Sequence, residues 1–508
     1  MRGEGAHIVQ NGGPAPLVNS LCETDGYALK KEDVHASLDK TNGRHHHLAQ
    51  MPGQARPQPE TENGHMDLNR AVGDLELEDD LEEKSDVSSG SSGSNDIFTS
   101  LPQIVSVRIN QDRAIKACRQ LQRVRSVPMK LGLNEYRVLH GPIHVDHRKR
   151  KLIIHLDIRN TILVADSITN VSVEEALNSF LTSVTWGSEE NGEWIWHSNI
   201  PSLKSPQPGL RTYYKHLEAK LVKSSEDRVK LRLQTGDFAL SSMGKIFQKD
   251  FYVHLARLVW QFDTCTTRDK VLTMSGRDGT AYHYILPGVY KLLHHLTNSR
   301  RDFAVVIRTY GRDGPNVLSS LNYGLHGHHP AFPSPLRIKV HKTPGIIKRT
   351  GSSSFELQTY KYRDGAGSGT CQEINQLLSH ERDMYRLMNA SQGISGYVDD
   401  FYHWQGHDYY HTAGKPLWLD PSDKRHHHIF FDDNFRADDE DSIVDVRVFN
   451  KENGHEARSL GLAEVARLEN ACVVQADLLE SIADEDYFVK MVRECEQKYA
   501  HLVWSGQL

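Results

Sequence analysis

The stretch Lys151–Asp166 reads Lys-Leu-Ile-Ile-His-Leu-Asp-Ile-Arg-Asn-Thr-Ile-Leu-Val-Ala-Asp and constrains the fold more than any other part of the chain. Four of the five residues from Leu152 to Leu156 are apolar, which predicts a short buried strand with Asp157 at its carboxyl end. A carboxylate in that position costs folding energy unless it is hydrogen-bonded or bound to a metal. In open α/β sheets, ligands bind in the crevice outside the carboxyl ends of the strands. A strand, then Asp157, then Thr161 is therefore a candidate site; the plain alternative is a turn or N-cap aspartate after a core strand.

The pattern recurs downstream. Pro287–Leu296 opens with Pro and spaces apolar residues at 289, 292, 293 and 296, predicting a helix that feeds directly into Asp302–Gly311, a second apolar strand ending at Thr309. Helix then strand is the unit of a parallel, doubly wound sheet. His428-Ile-Phe-Phe-Asp-Asp433 predicts a third strand ending in paired carboxylates, and Asp445–Phe449 a fourth. Asp399–Asp400, after Ile394–Val398, compete with Asp432–Asp433 as the metal pair; the cleaner apolar run before the latter favours it. The triplet His426–His428 alternates faces on an extended chain, so its imidazoles are expected to form a polar strand entry rather than one metal site.

The 508 residues have room for two or three domains. Residues 1–98, with their Gly, Pro, Asn and His content, the acidic Leu75–Lys84 tract and the Ser-rich run Ser88–Ser94, predict a disordered acidic and polar tail that could dock a protein partner. Residues 99–170 are expected to form an N-terminal extension and the start of the core, 171–284 an inserted, mainly helical cap, and 285–508 the rest of the core, with an irregular insertion at 312–410. Within that insertion, Gly365–Gly369 has no apolar strand before it and no helix after it, so a flexible loop is expected rather than a phosphate-binding one. The aromatics Trp186, Trp194 and Trp196 are expected to fill the cap's interior.

A net charge of −6 and the lack of a basic, aromatic-interleaved face exclude a nucleic-acid binder as the leading reading. With no long apolar run and no apolar leader, a membrane span and a secretory signal are not expected. Six cysteines without a paired framework predict free thiols and a cytoplasmic setting.

Taken in order, Asp157 with Thr161, Thr309, Lys415 and Asp432–Asp433 supply what phosphoryl transfer through an aspartyl intermediate needs: a carboxylate nucleophile, a hydroxyl and an ammonium for phosphoryl oxygens, and carboxylates for a divalent ion. The arrangement resembles the haloacid dehalogenase (HAD)-like hydrolase superfamily. Leu152–Thr161 resembles its first motif, Phe303–Thr309 the second, Lys415 the third and Ile429–Asp433 the fourth. The wording of Asp157–Asp166, Arg308–Gly311, Gly414–Leu417 and Phe430–Asn434 is similar to a little-characterised eukaryotic group within it.

The resemblance implies a HAD-like α/β core with a doubly wound, mostly parallel sheet and an inserted cap. It makes Asp157 the nucleophile and a Mg²⁺ ligand, Thr309 and Lys415 the phosphoryl-binding groups, and Asp432 and Asp433 the remaining metal ligands. The implied activity is hydrolysis of a small phosphorylated molecule. One position departs from the family's phosphatases, which carry a second Asp two residues after the nucleophile; here it is Arg159. A guanidinium stays protonated and cannot shuttle a proton, and losing that help typically costs about 10²–10⁴ in rate. Arg159 could instead clamp a substrate anion, and Asp166 is a candidate relay beside its plainer role as a turn residue. A catalytically impaired HAD-fold binding or scaffold protein is the alternative.

Overall fold

The computed structural model describes residues 150–507, apart from 166–167, 169–170, 224–226, 263–268, 352, 365–369 and 451–453. The tail expected over 1–98, most of the extension up to 149, Asp166 and the glycine run 365–369 lie outside the described residues.

The first strand, β1 (Lys151–Asp157), enters a module made of α1 (Val173–Ser183), β2 (Trp186–Glu190), β3 (Glu193–Trp196), β4 (Arg211–Thr212), α2 (Tyr213–Leu221), α3 (Arg228–Thr235), α4 (Gln248–Leu258), β5 (Thr273–Ser275) and β6 (Ala281–His283). A capping box starts α1: the Ser172 hydroxyl accepts from the Glu175 backbone, and the Glu175 carboxylate accepts from the Ser172 backbone. The chain returns through α5 (Pro287–Asn298) to β7 (Phe303–Thr309). Then follow α6 (Gly314–Tyr323), β8 (Gly345–Gly351), β9 (Ser354–Asp364), β10 (Thr370–Leu378), α7 (Glu381–Ala390) and β11 (Gly393–Val398). After α8 (Phe401–Gly406) come β12 (Lys415–Leu419), β13 (His426–Asp432), β14 (Val444–Phe449) and β15 (Ala457–Ser459). The chain closes with α9 (Leu462–Leu468), β16 (Val473–Gln475), α10 (Leu478–Ala483) and α11 (Tyr487–Trp504).

Eight strands form the main sheet in the order β10-β9-β8-β11-β7-β1-β13-β16. It is parallel from β8 to β16, and β9 and β10 add an antiparallel edge. Strand β1 lies at its centre, with Asp157 in register with Arg308 on one side and Leu156 with Phe431 on the other. Both faces are covered. Leu152, Ile154 and Leu156 pack with α5 and α11, while Ile153 faces Met384, Trp418 and Phe449. Burial on both sides explains why β1, β7 and β13 read as near-continuous apolar runs. A second parallel pair, β12 with β14, extended by β15, forms a separate small sheet.

The expected α/β class with a large, mainly parallel sheet is what the chain adopts. The insertion expected to be irregular at 312–410 is instead largely ordered: four of the eight main-sheet strands, β8 to β11, come from it. Its strands alternate, with Phe355 and Leu357 buried and Glu356 and Gln358 not, so no unbroken apolar run announces them. Of the aromatics expected inside the module at 171–284, Trp194 is buried and Trp196 packs half-buried against it, Tyr213 and Phe247, whereas Trp186 is half-exposed, its indole N–H donating to the Ser202 carbonyl. The module's buried side chains are continuous with those under β1, α5 and α11, so it shares the core of the sheet. Among the described residues no helix is long and apolar enough to cross a membrane, and Cys472 and Cys495 are free and buried.

Candidate active site

Parallel pairing brings the carboxyl ends of β7, β1 and β13 side by side, and with them Thr309, Asp157 and Asp432. Carboxylate oxygens of Asp157, Asp432 and Asp433 lie within 4.8 Å of one another, and all three residues are buried. Lys415 comes from outside the main sheet, at the first position of β12. Its ammonium donates to Asp157 Oδ1 at 2.6 Å and to Asp432 Oδ2 at 3.0 Å, while the Tyr310 ring centroid lies 4.8 Å from it. The preceding residue must be glycine, because a Cβ on Gly414 would stand 2.2 Å from the Ile443 carbonyl oxygen. That close approach lets the Lys415 backbone N–H reach the same carbonyl, seating the base of the side chain.

After β1 the chain turns sharply. Ile162 and Leu163 N–H both donate to the Ile158 carbonyl, and Asn160 takes φ 57°, a conformation that asparagine tolerates better than most residues. The turn aims the Asn160 amide at Asp433 Oδ2, 3.2 Å away. Beside it, the fully buried Thr161 hydroxyl has no hydrogen-bond partner among the described residues. Arg159 is half-buried and its backbone bridges to Leu163. On the far side of the pair, Arg436 donates to the carbonyl oxygens of Asp433 and Phe435. Asn160, Tyr310, Gly414 and Arg436 are members of this site that the sequence reading did not assign.

Thr309 ends the strand beside Asp157, as expected. Its hydroxyl is engaged locally, accepting from the Gly311 N–H at 2.8 Å and donating to Asp313 Oδ1 at 3.2 Å. The competing pair stands elsewhere. Asp399 is bound by the Arg308 guanidinium through both its oxygens, and Asp400 caps α8 by accepting from the His403 N–H. The three histidines go separate ways, as alternation requires: His426 to Asp423, His427 to the Ala471 carbonyl and His428 to Asn389.

Three carboxylates thus lie in a buried place with one ammonium, which bonds Asp157 and Asp432, and with the Arg436 guanidinium beside Asp433. Burial pushes the Asp157 carboxyl well above its ordinary range; Lys415 pulls it down, and Asp432 and Asp433 push it up further. Burial, then the neighbouring Asp432, raises Asp433 to about 7. The donors are all hard oxygens, the kind Mg²⁺ selects. Oxygens around one Mg²⁺ stand about 3–4 Å apart, given metal–oxygen distances near 2.1 Å, so the cluster needs only a small contraction to hold such an ion. The unbalanced negative charge supplies the attraction. Comparison with family models, curated proteins and solved structures finds no match to the chain.

Proposed function

We propose that the chain is a Mg²⁺-dependent phosphohydrolase of the HAD-like type, acting on a small phosphorylated molecule through an aspartyl-phosphate intermediate. The observation that carries this reading is the convergence of three separate stretches of chain: Asp157 and Asp432–Asp433 at the carboxyl ends of the adjoining parallel strands β1 and β13, and Lys415 from the start of β12. Asp157, Asp432 and Asp433 would hold the ion, which when bound neutralises charge between the carboxylates and the phosphoryl group.

An Asp157 carboxylate oxygen attacks phosphorus, and the bond from phosphorus to the leaving oxygen breaks. Water then attacks the phosphorus of the acyl phosphate, the bond to Asp157 breaks, and inorganic phosphate leaves with the carboxylate restored. Lys415 holds Asp157 Oδ1, which orients the other oxygen for attack and offers positive charge to the transferring group. Arg159 cannot give the leaving oxygen a proton, so leaving groups that depart as stable anions are favoured over alkoxides.

The test is phosphate release from an aryl phosphate and from an alkyl phosphate. Release should require Mg²⁺, should be faster for the aryl ester, and should drop to background in Asp157→Asn. Equal release by wild type and Asp157→Asn would overturn the proposal. Arg159 favours one other reading, a HAD-fold binding protein without turnover. Beryllofluoride with Mg²⁺ would then stabilise a protein that releases no phosphate, and Arg159→Asp would restore release.

A further inference from the structure

A cleft of about 830 Å³ opens at the opposite end of the main sheet, where β13 begins. Lys151 and His426 start the strands that Asp157 and Asp432 end, so the two places are about 20 Å apart along the strands, at about 3.3 Å per residue. Four cationic side chains line the cleft, Arg382, Arg386, Lys424 and Arg425, against the carboxylates of Asp420 and Asp423. Both carboxylates are already engaged. Asp420 accepts from Arg382 and from the Ser422 backbone and hydroxyl. Asp423 accepts from the Arg425 N–H, the Tyr385 hydroxyl and the His426 ring. Arg386 also pairs with Asp383, at a largely exposed position where such a contact contributes little. Arg386, Lys424 and Arg425 are exposed, so the cleft keeps a positive surplus on a chain whose net charge is −6.

A buried polar residue, Asn389, lines this cleft with 8 % exposure and joins it to the middle of the sheet. Asp423 only accepts, so the Asn389 amide NH₂ faces it, at 3.4 Å, and its Oδ1 faces His428 Nε2 at 2.7 Å. His428 Nε2 therefore carries the proton, and its Nδ1 accepts from His155 Nε2 at 3.1 Å. His155 Nδ1 in turn faces the Arg308 guanidinium at 3.4 Å. Every donor points the same way, from a buried cation to a carboxylate at the cleft, which fixes both tautomers. Burial, then the charges of its neighbours His426 and His427, lowers His428 to about 3. The His428 ring stays neutral, and Arg308, at the start of the chain of donors, is the register neighbour of Asp157.

We propose that this cleft is a second anion site, separate from the Asp157 centre, taking a small molecule that carries a diphosphate group. Guanidinium groups match phosphoryl oxygens in bidentate geometry. The cleft has the volume of a small-molecule site, and its four cations come from two separate stretches, Arg382 and Arg386 on α7 and Lys424 and Arg425 just before β13, so two linked phosphoryl groups can meet one stretch each. A ligand seated there lies against Asn389 and so against the end of the imidazole chain.

The experiment is calorimetric titration of the full chain with inorganic pyrophosphate in EDTA, with inorganic phosphate as comparison, alongside ¹⁵N spectra of the histidines. One pyrophosphate should bind per chain, more tightly than phosphate, and should shift the His428 and His155 ring signals. The double variant R386E/R425E, changed only at exposed positions, should weaken binding roughly tenfold or more while leaving Tm alone. Asp157→Asn should bind as wild type does. No binding, binding indifferent to R386E/R425E, binding lost in Asp157→Asn, or unmoved imidazoles would each overturn the proposal. Because EDTA and Asp157→Asn disable the carboxylate centre, this outcome is independent of whether the chain hydrolyses phosphate esters.

Discussion

Two aspartate pairs flank the middle of the main sheet, Asp399–Asp400 after β11 and Asp432–Asp433 at the end of β13, with β7 and β1 between them. Each follows a strand, and as sequence the two differ chiefly in the cleaner apolar run before Asp432. What separates them is the company they keep. Asp399 meets one guanidinium that fills both its oxygens, and Asp400 is spent on a helix N-terminus and the Arg349 N–H. Asp432 and Asp433 share their surroundings with a third carboxylate against two cations, the buried Lys415 ammonium and the half-buried Arg436. The first arrangement is balanced and serves the fold. The second carries surplus negative charge, which is what a site for a divalent cation requires.

The largest effect expected from this contrast is on stability. Asp399→Ala strands the fully buried Arg308 and should cost about 3–5 kcal/mol, read by urea denaturation. Asp432→Asn removes one of three mutually repelling carboxylates and should cost far less in metal-free protein; a cost as large as that of Asp399→Ala would erase the distinction. A smaller effect is the pH dependence. Asp433 titrates at about 7 in the folded chain, against an ordinary value of 3.8. Between those values the folded chain keeps a proton that the unfolded chain has lost, so this group's contribution falls as pH rises through that window and is level above it. Thermal melts in EDTA should give a lower Tm at pH 8 than at pH 5.5 from this source, and Asp433→Asn should flatten the slope; an unchanged slope in the variant would assign it elsewhere. Least affected should be Asp400→Ala, which loses the N-cap on α8 and the bond from the Arg349 N–H, about 1–2 kcal/mol together in the same urea denaturation.

How far all this was legible follows from where each residue's partners lie. Strands β1, β7 and β13 are buried on both faces, so they show as apolar runs, and Asp157, Thr309 and Asp432 end them as the pattern predicts. Strands β9 and β10 bury less, alternate with polar residues and flank a glycine run, which hid a hairpin inside a segment expected to be irregular. Lys415 was recognisable by its order in the chain, but its place in a separate small sheet was not. Asn160 meets Asp433 across 273 residues, and Tyr310 lies over Lys415 only because β7 and β12 are brought together by the fold. No local pattern encodes such contacts. The choice between the two aspartate pairs rested on the cleaner run before Asp432, whereas the reason for it, Arg308 one strand from Asp399, is a tertiary fact.

The contrast between the pairs is tested most directly by titrating Mg²⁺ into metal-free wild type, Asp432→Asn and Asp399→Asn and measuring the heat. One ion should bind to wild type and to folded Asp399→Asn, and none to Asp432→Asn over the same concentration range. Failure of wild type to bind, or equal binding by wild type and Asp432→Asn, would contradict the assignment of the metal site to Asp157, Asp432 and Asp433.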